Sequence, residues 1–312
     1  MGTQNSYIQE WERLFAEHRS YLISFAFRMT GSLSEAEDIV QDVFIECAEV
    51  NPTSIQNPKS WLTKVCSNRA LDHLKLAYKK RETYPGTWLP DAVPDSFQIW
   101  GNLANNDSPD KNILLSQSLT TSFLLLIEKL TPEERVVYLL NEVFEYPFKD
   151  IAEVLKKSEE ACRKIAERAR KAVLSGRSKF VPQPVGAEKV IAQFFDLAKQ
   201  GNSAGLMDLL AEGSEFWSDG GGKVAAVRDV VTDTARIAEF FKGVWTSKFF
   251  KGDDYKVEYQ MVNLLPGVVI SRKSEDGWVF ETIMSFEIQD GKIVRIYSQR
   301  NPDKLNVLTK IQ

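Results

Sequence analysis

The sequence predicts an α+β chain of several domains: two all-α domains, then an α+β domain whose curved antiparallel sheet packs on helices. Three observations lead there. Helical periodicity dominates the first half of the 312 residues. Two aperiodic stretches rich in turn residues interrupt it. Apolar–polar alternation with paired turn signals fills the C-terminal third. A chain of this length makes two or three domains. The boundaries fall at 1–82, a linker at 83–112, 113–180, a second linker at 181–186, and 187–312.

Taken in order, the first segment is helical: Trp11, Leu14, Phe15, Leu22, Phe25 and Met29 follow a 3.6 period up to "MTGS". A second helix opens at "SEAE", where Ser34 is expected as cap with Glu37 closing a capping box. Its apolar stripe is Ile39, Val40, Val43, Phe44 and Cys47. Asn57-Pro58 starts a third helix, a cap followed by a first-turn proline. The stretch "ETYPGTWLPDAVPDSFQIWGNLANNDSPD" has no period and is long for a loop within one compact domain. Helix resumes near Ile113, restarts at the cap Thr131-Pro132-Glu133-Glu134, and continues as "FKDIAEVL", the turn "KKS" and "EEACRKIAERARKAVL". After "SGRSKFVPQPVG", two helical patterns cover Glu188 to Leu210 and another covers Val230 to Trp245. Four strands follow, "KVEYQMVNL", "VVISRK", "WVFETIMSFEI" and "KIVRIYS", with turns expected at Pro266-Gly267, Asp276-Gly277 and Asp290-Gly291.

Composition narrows the classes. No apolar run spans a bilayer and the N-terminus has no apolar signal core, so a soluble, cytoplasmic protein without membrane contact is expected. Cys47, Cys66 and Cys162 are far apart within helical patterns, which suits buried thiols in a reducing compartment. No metal or cofactor is expected. Net charge is −4, yet the windows Lys59–Arg81 and Lys156–Lys179 each carry +6. Two cationic helices on an acidic body suit a polyanion, although a pair of solvated faces has the same charge pattern.

Phe148 to Leu174 reads as two helices joined by a tight turn, with basic residues crowding the second. That is the pattern of a helix-turn-helix, whose second helix enters a major groove. Arg163, Lys164, Arg168, Arg170 and Lys171 would then face phosphates and base edges.

The motifs carry a resemblance. "SLSEAEDIVQDVFIECAEV" resembles a region 2 helix of sigma-70-family factors, and "NPKSWLTKVCSNRALDHLKLAYKKR" resembles the following helix, which melts and reads the minus-ten element. "LTPEERVVYLLNEVFEYPFKDIAEVLKKSEEACRKIAERARKAV" is similar to region 4, which binds the minus-thirty-five element. With only these two regions apparent, over about residues 7–180, the chain resembles extracytoplasmic-function sigma factors. The resemblance implies RNA polymerase core, through its β′ and β subunits, and double- and single-stranded promoter DNA as partners. It places Asp38, Gln41, Asp42 and Phe44 on or behind the surface that meets the β′ clamp helices. It makes Trp61 and Leu62 a core pair, and sets Asn68, Arg69 and Asp72 near the melted strand; for His73, exposure near the DNA and simple solvation are both open readings. Holding an opened strand needs cations, for which Lys64, Arg69, Lys75, Lys79, Lys80 and Arg81 are the candidates. Two departures stand out: "LKKS" lacks the glycine usual before the recognition helix, and Ile165 replaces a common basic residue. Base readout is therefore expected from Ser158, Glu159, Glu160, Arg163 and Lys164.

The C-terminal part resembles a SnoaL-like cone. One group of these sigma factors carries such a domain after region 4, with "WLPEP"-type, "DGGGK" and "NPDKL" motifs. Here stand an imperfect "WLPDAVP" with Trp88, Leu89 and Pro90, then Asp219-Gly220-Gly221-Gly222-Lys223, then Asn301-Pro302-Asp303-Lys304-Leu305. The glycine run is no P-loop, because Val224 follows Lys223 where a Ser or Thr would bind magnesium. A flexible turn and a catalytic acid at Asp219 or Glu281 are open readings, but His18 and His73 both lie N-terminal and no enzyme is expected. The favoured reading is an interface. Glycines let another backbone approach, while Asp219, Lys223, Asp303 and Lys304 supply charged hydrogen bonds. The resemblance implies that this surface meets the sigma portion or the linker of the same chain. The expected function is an alternative sigma factor regulated in cis. Its rivals are a DNA-binding regulator independent of polymerase, and a ligand-sensing or enzymatic cone coupled to DNA binding.

Overall fold

The computed structural model describes residues 2–81, 83–99, 115–176, 186–247, 254–275 and 277–309, apart from the side chains of 2–6, 8, 77–81 and 176. The chain forms two compact units. The first joins Met1–Glu82 to Gln98–Arg177, and the second joins Thr83–Phe97 to Ser178–Gln312. The segment Thr83–Phe97 thus leaves the first unit, belongs to the second, and returns.

The first unit is helical. α1 (Gly2–Thr30) and α2 (Leu33–Cys47) pack with α3 (Pro58–Arg81). Ser32, not Ser34, is the N-cap residue of α2, and no side chain closes that cap. The Thr30 hydroxyl bridges the turn instead, accepting the Ser32 N–H at 3.2 Å. Asn57 caps α3 by accepting the Ser60 N–H at 3.0 Å. In the second half lie α4 (Thr121–Glu128), α5 (Pro132–Tyr138), α6 (Phe148–Leu155) and α7 (Glu159–Gly176). Thr131 and Glu134 close the expected capping box on α5. A π turn at Leu139–Val143 prolongs α5, a departure that the helical period does not reveal. Lys156 explains the absent glycine: it takes the left-handed conformation itself, at φ 52°, and ends α6. Ile165 is buried with Cys162 and Ala169, so this position serves the packing of the helix pair.

Two arginines tie the halves of this unit together. Arg28 on α1 is fully buried and donates from Nε to Ser118 Oγ at 2.7 Å and from Nη2 to the Leu115 carbonyl at 2.8 Å. Its guanidinium also stands 5.4 Å from the Phe144 ring centre. Arg135 on α5 donates back to the Met29 carbonyl at 2.6 Å.

The second unit is α+β. α8 (Ala187–Gln200), α9 (Ser203–Leu209) and α10 (Thr234–Thr246) support five strands: β1 (Leu210–Asp219), β2 (Tyr255–Val262), β3 (Leu265–Ser274), β4 (Gly277–Gln289) and β5 (Lys292–Gln299). The order is β1-β5-β4-β3-β2, with β1 parallel to β5 and the other pairs antiparallel. Register breaks in the β1–β5, β3–β4 and β4–β5 pairs bend the sheet. One face packs on the helices through Phe194, Phe195, Phe216, Phe241, Trp245 and Phe286, whose rings meet mostly edge to face. α11 (Pro302–Thr309) ends the described chain and packs against β4.

Two sequence expectations fail here. The pattern of residues 210–219 suggests no strand, yet β1 forms there. Gly213 breaks the alternation, and the partner strand β5 lies far along the chain. Pro266-Gly267 is strand rather than turn. The reversal is Asn263-Leu264, both at positive φ, between the paired residues Val262 and Leu265.

Candidate nucleic-acid interface and linker clamp

α2 presents Asp38, Gln41 and Asp42 to solvent on one face, and Ile45 continues that face at 61% exposure. Phe44 lies half-buried behind it, edge to face with Phe15 at 4.9 Å. Ile45 is absent from the sequence-based candidates, yet its i+3 and i+4 spacing from Asp42 and Gln41 marks it.

On α3, Leu62 is buried and Trp61 stacks on Trp11 at 5.4 Å. Its polar side already has partners. Lys64 pairs with Glu153 at 2.8 Å, Arg69 with Glu46 at 2.8 Å, and Lys75 with Asp72 at 3.2 Å. His73 lies 3.8 Å from Glu35, and Asn68 is half-buried. The side chains of Lys79, Lys80 and Arg81 lie outside the described residues.

On α7, Ser158 accepts the Ala161 N–H at 3.2 Å and so caps the helix. Glu159–Arg163, Glu160–Lys164 and Glu167–Lys171 form i,i+4 pairs at 2.6 to 2.7 Å. Arg168 reaches Glu134 at 3.4 Å and Arg170 reaches Glu142 at 2.5 Å. Exposed pairs of this kind contribute about 0.3–0.5 kcal/mol each, so a phosphate displaces them at small cost.

The second unit holds a different kind of ion pair. Asp219, at the end of β1, is fully buried. Its Oδ1 accepts the Tyr84 hydroxyl at 2.6 Å and the Gly221 N–H at 3.0 Å. Its Oδ2 accepts the Leu89 N–H at 3.0 Å and Lys304 Nζ at 2.8 Å. Burial, and then the adjacent Asp219 carboxylate, push the Tyr84 phenol well above its usual value, which keeps it a donor. Lys304 also donates to the Leu89 carbonyl and lies 4.7 Å from the Trp88 ring centre and 5.5 Å from that of Tyr84. Asn301 donates to the Tyr84 hydroxyl at 2.8 Å and caps α11 by accepting the Asp303 N–H at 3.0 Å. The two charged motifs therefore pair crosswise: Asp219 with Lys304 inside, Lys223 with Asp303 at 2.6 Å outside.

The glycines make room for this. Gly221 and Gly222 have φ of 61° and 70°. A Cβ on Gly221 would stand 2.4 Å from Asn301, and one on Gly222 would stand 2.7 Å from Pro85. Gly220 is also closed to a side chain, 2.5 Å from the Val224 carbonyl. Pro302 opens α11, and Leu305 is buried beneath it.

Farther along the linker, Asn263 accepts the Val93 N–H at 3.0 Å and donates to the Asp91 carbonyl at 2.9 Å. Gln299 donates to the Pro90 carbonyl at 3.4 Å. Leu89 and Val93 are 1% and 0% exposed. Nothing in the sequence singles out Tyr84, Asn263 or Gln299, and Asn263 reads as one more hairpin residue. Glu281, the other acid considered for catalysis, is bound to Arg300 at 3.3 Å and Arg272 at 3.4 Å.

Comparison with known proteins agrees with these two helical modules. Residues 14–79 match Sigma-70 region 2 and residues 120–173 match Sigma-70, region 4. The chain is 30% identical over 308 residues to the ECF RNA polymerase sigma factor SigJ of Mycobacterium tuberculosis, covering 95% of this chain and 92% of that one. The chain belongs to the extracytoplasmic-function sigma factors. The crystal structure of the same M. tuberculosis factor is similar at a TM-score of 0.67 and 28% identity, over 96% of this chain and 98% of that chain. A probable ECF RNA polymerase sigma factor, SigI of M. tuberculosis, is 30% identical over 200 residues, 63% of this chain and 65% of its own. This sigma factor is thus an alternative RNA polymerase sigma factor, with core polymerase and promoter DNA as partners. Among the described residues no helix is long and apolar enough to cross a membrane.

Proposed function

We propose that the C-terminal domain of this sigma factor regulates transcription initiation in cis by seizing the linker between region 2 and region 4. The observation that carries this is the buried Asp219–Lys304 pair, closed around Tyr84, Trp88 and Leu89. In extended form a segment the length of Thr83–Phe97 reaches about 50 Å. While it is seated, that length is withheld from the chain that joins α3 to α4. Promoter elements stand at a fixed spacing, so the clamp sets which separations the two modules can span together.

In this reading, Asp38, Gln41, Asp42 and Phe44, with Ile45 beside them, meet the β′ subunit, and the β subunit completes the core contact. Lys64, Asn68, Arg69, Asp72, His73 and Lys75 hold the melted strand with Lys79, Lys80 and Arg81. α7 enters the major groove of the upstream element through Ser158, Glu159, Glu160, Arg163 and Lys164, while Arg168, Arg170 and Lys171 take phosphates.

The test is transcription in vitro with core polymerase, on templates whose two promoter elements are moved apart by single base pairs. The full chain should work over a narrow range of spacings. Asp219→Ala, and a chain ending at Val181, should work over a wider one. Identical spacing profiles for all three would remove the linker clamp from regulation.

A further inference from the structure

Region 4 meets region 2 through aromatic and polar groups: Phe144 packs edge to face on Tyr21 and Phe25, at 5.5 and 5.2 Å between ring centres, and polar contacts lie beside it. A cavity of about 450 Å³ opens along the N-terminal half of α3. One wall is Ser60, Trp61 and Lys64 of region 2; the other is Tyr146, Asp150 and Glu153 of region 4. Glu153 Oε2 lies 2.8 Å from Lys64 Nζ, and this pairing holds the Glu153 carboxyl below its usual range. At the inner end, the Tyr146 hydroxyl donates to Thr63 Oγ1 at 2.9 Å and lies 3.4 Å from the Tyr21 hydroxyl.

Arg28 lies over the same Phe144 ring, 5.4 Å from its centre. Arg28 is completely buried, and the groups that hold it among the described residues are all neutral. Burial lowers its pKa to about 9. A buried cation without a carboxylate is a weak source of stability.

We infer that α6 is a latch on the strand-holding side of region 2. The Glu153 carboxylate occupies Lys64 as a phosphate would, and Tyr146 and Asp150 close the cavity beside Trp61. The latch and a single-stranded polyanion compete for Lys64, so strand binding by region 2 requires region 4 to leave. This contact lies wholly within the helical unit and does not depend on the linker clamp.

The experiment is anisotropy of a labelled single-stranded oligodeoxynucleotide titrated with the full chain. Glu153→Gln should tighten binding about fivefold at low salt, the effect of freeing one exposed ion-paired cation. Glu12→Gln, which removes an exposed charge elsewhere, should change it by less than about twofold. In a Lys64→Ala background the Glu153→Gln gain should vanish. Melting temperatures of all the variants establish that each is folded. Lys64→Glu combined with Glu153→Lys provides a second arm: it restores the latch with its charges exchanged and should bind the strand more weakly than the unaltered chain. Equal gains from Glu153→Gln and Glu12→Gln, or a gain that persists without Lys64, would overturn the latch.

Discussion

The ion pairs of α7 and the pair at the end of β1 use the same chemistry in opposite surroundings. On α7, Arg163 and Lys164 lie in water beside carboxylates one helical turn away. At Asp219, carboxylate and ammonium are shut beneath Tyr84 and Trp88, among hydrogen-bond donors and ring faces. The first arrangement is cheap to exchange for a phosphate. The second is costly to break, because either partner left alone stays buried. Replaceable pairs thus lie on the helix proposed to read DNA, and a fixed pair lies where the second unit holds the segment Thr83–Phe97.

Substitutions should sort along this contrast. Asp219→Ala should have the largest effect. It strands Lys304 and leaves the Leu89 N–H and the Tyr84 hydroxyl without their acceptor, a loss of about 3–5 kcal/mol. Denaturant unfolding would register it, and amide exchange at residues 84–93 should accelerate. A loss below about 1 kcal/mol would make the clamp no stronger than a surface pair. Gly222→Ala should follow at about 1–3 kcal/mol, since it strains a positive φ and drives a methyl group into Pro85. Lys223→Ala breaks only the exposed pair with Asp303 and should cost no more than about 1 kcal/mol by thermal melting. Arg168→Ala should barely change stability. It should reduce the salt dependence of duplex binding by about one phosphate contact, read as the slope of log affinity against log salt. Smallest of all, thiol reagents should leave the native chain unmodified at neutral pH. All three cysteines are buried, and burial pushes the Cys47 thiol up to about 12.

Helices whose cause is local are legible directly. Thr131 to Glu134 closes its capping box, Asn57-Pro58 starts α3, and "FKDIAEVL" runs over Phe148–Leu155. Where the cause is distant, reading fails. β1 exists because β5 pairs with it from some eighty residues away, and its own alternation is broken at Gly213. The reversal at Asn263-Leu264 is misplaced to Pro266-Gly267, since Pro and Gly mark turns more strongly than the pair that makes this one. The clamp is half visible. Its charged motifs stand out as strings, but their crosswise pairing and the roles of Tyr84, Asn263 and Gln299 do not.

Residue periodicity, caps and motifs were enough by themselves to establish the two helical modules, the C-terminal α+β domain and membership among sigma factors, because each is written in neighbours a few positions apart. Which carboxylate meets which cation was decided only by the folded chain. Lys304 finds Asp219, and Glu153 finds Lys64, across 85 and 89 residues. Coulomb attraction names no partner until packing brings two charges together and removes the water between them.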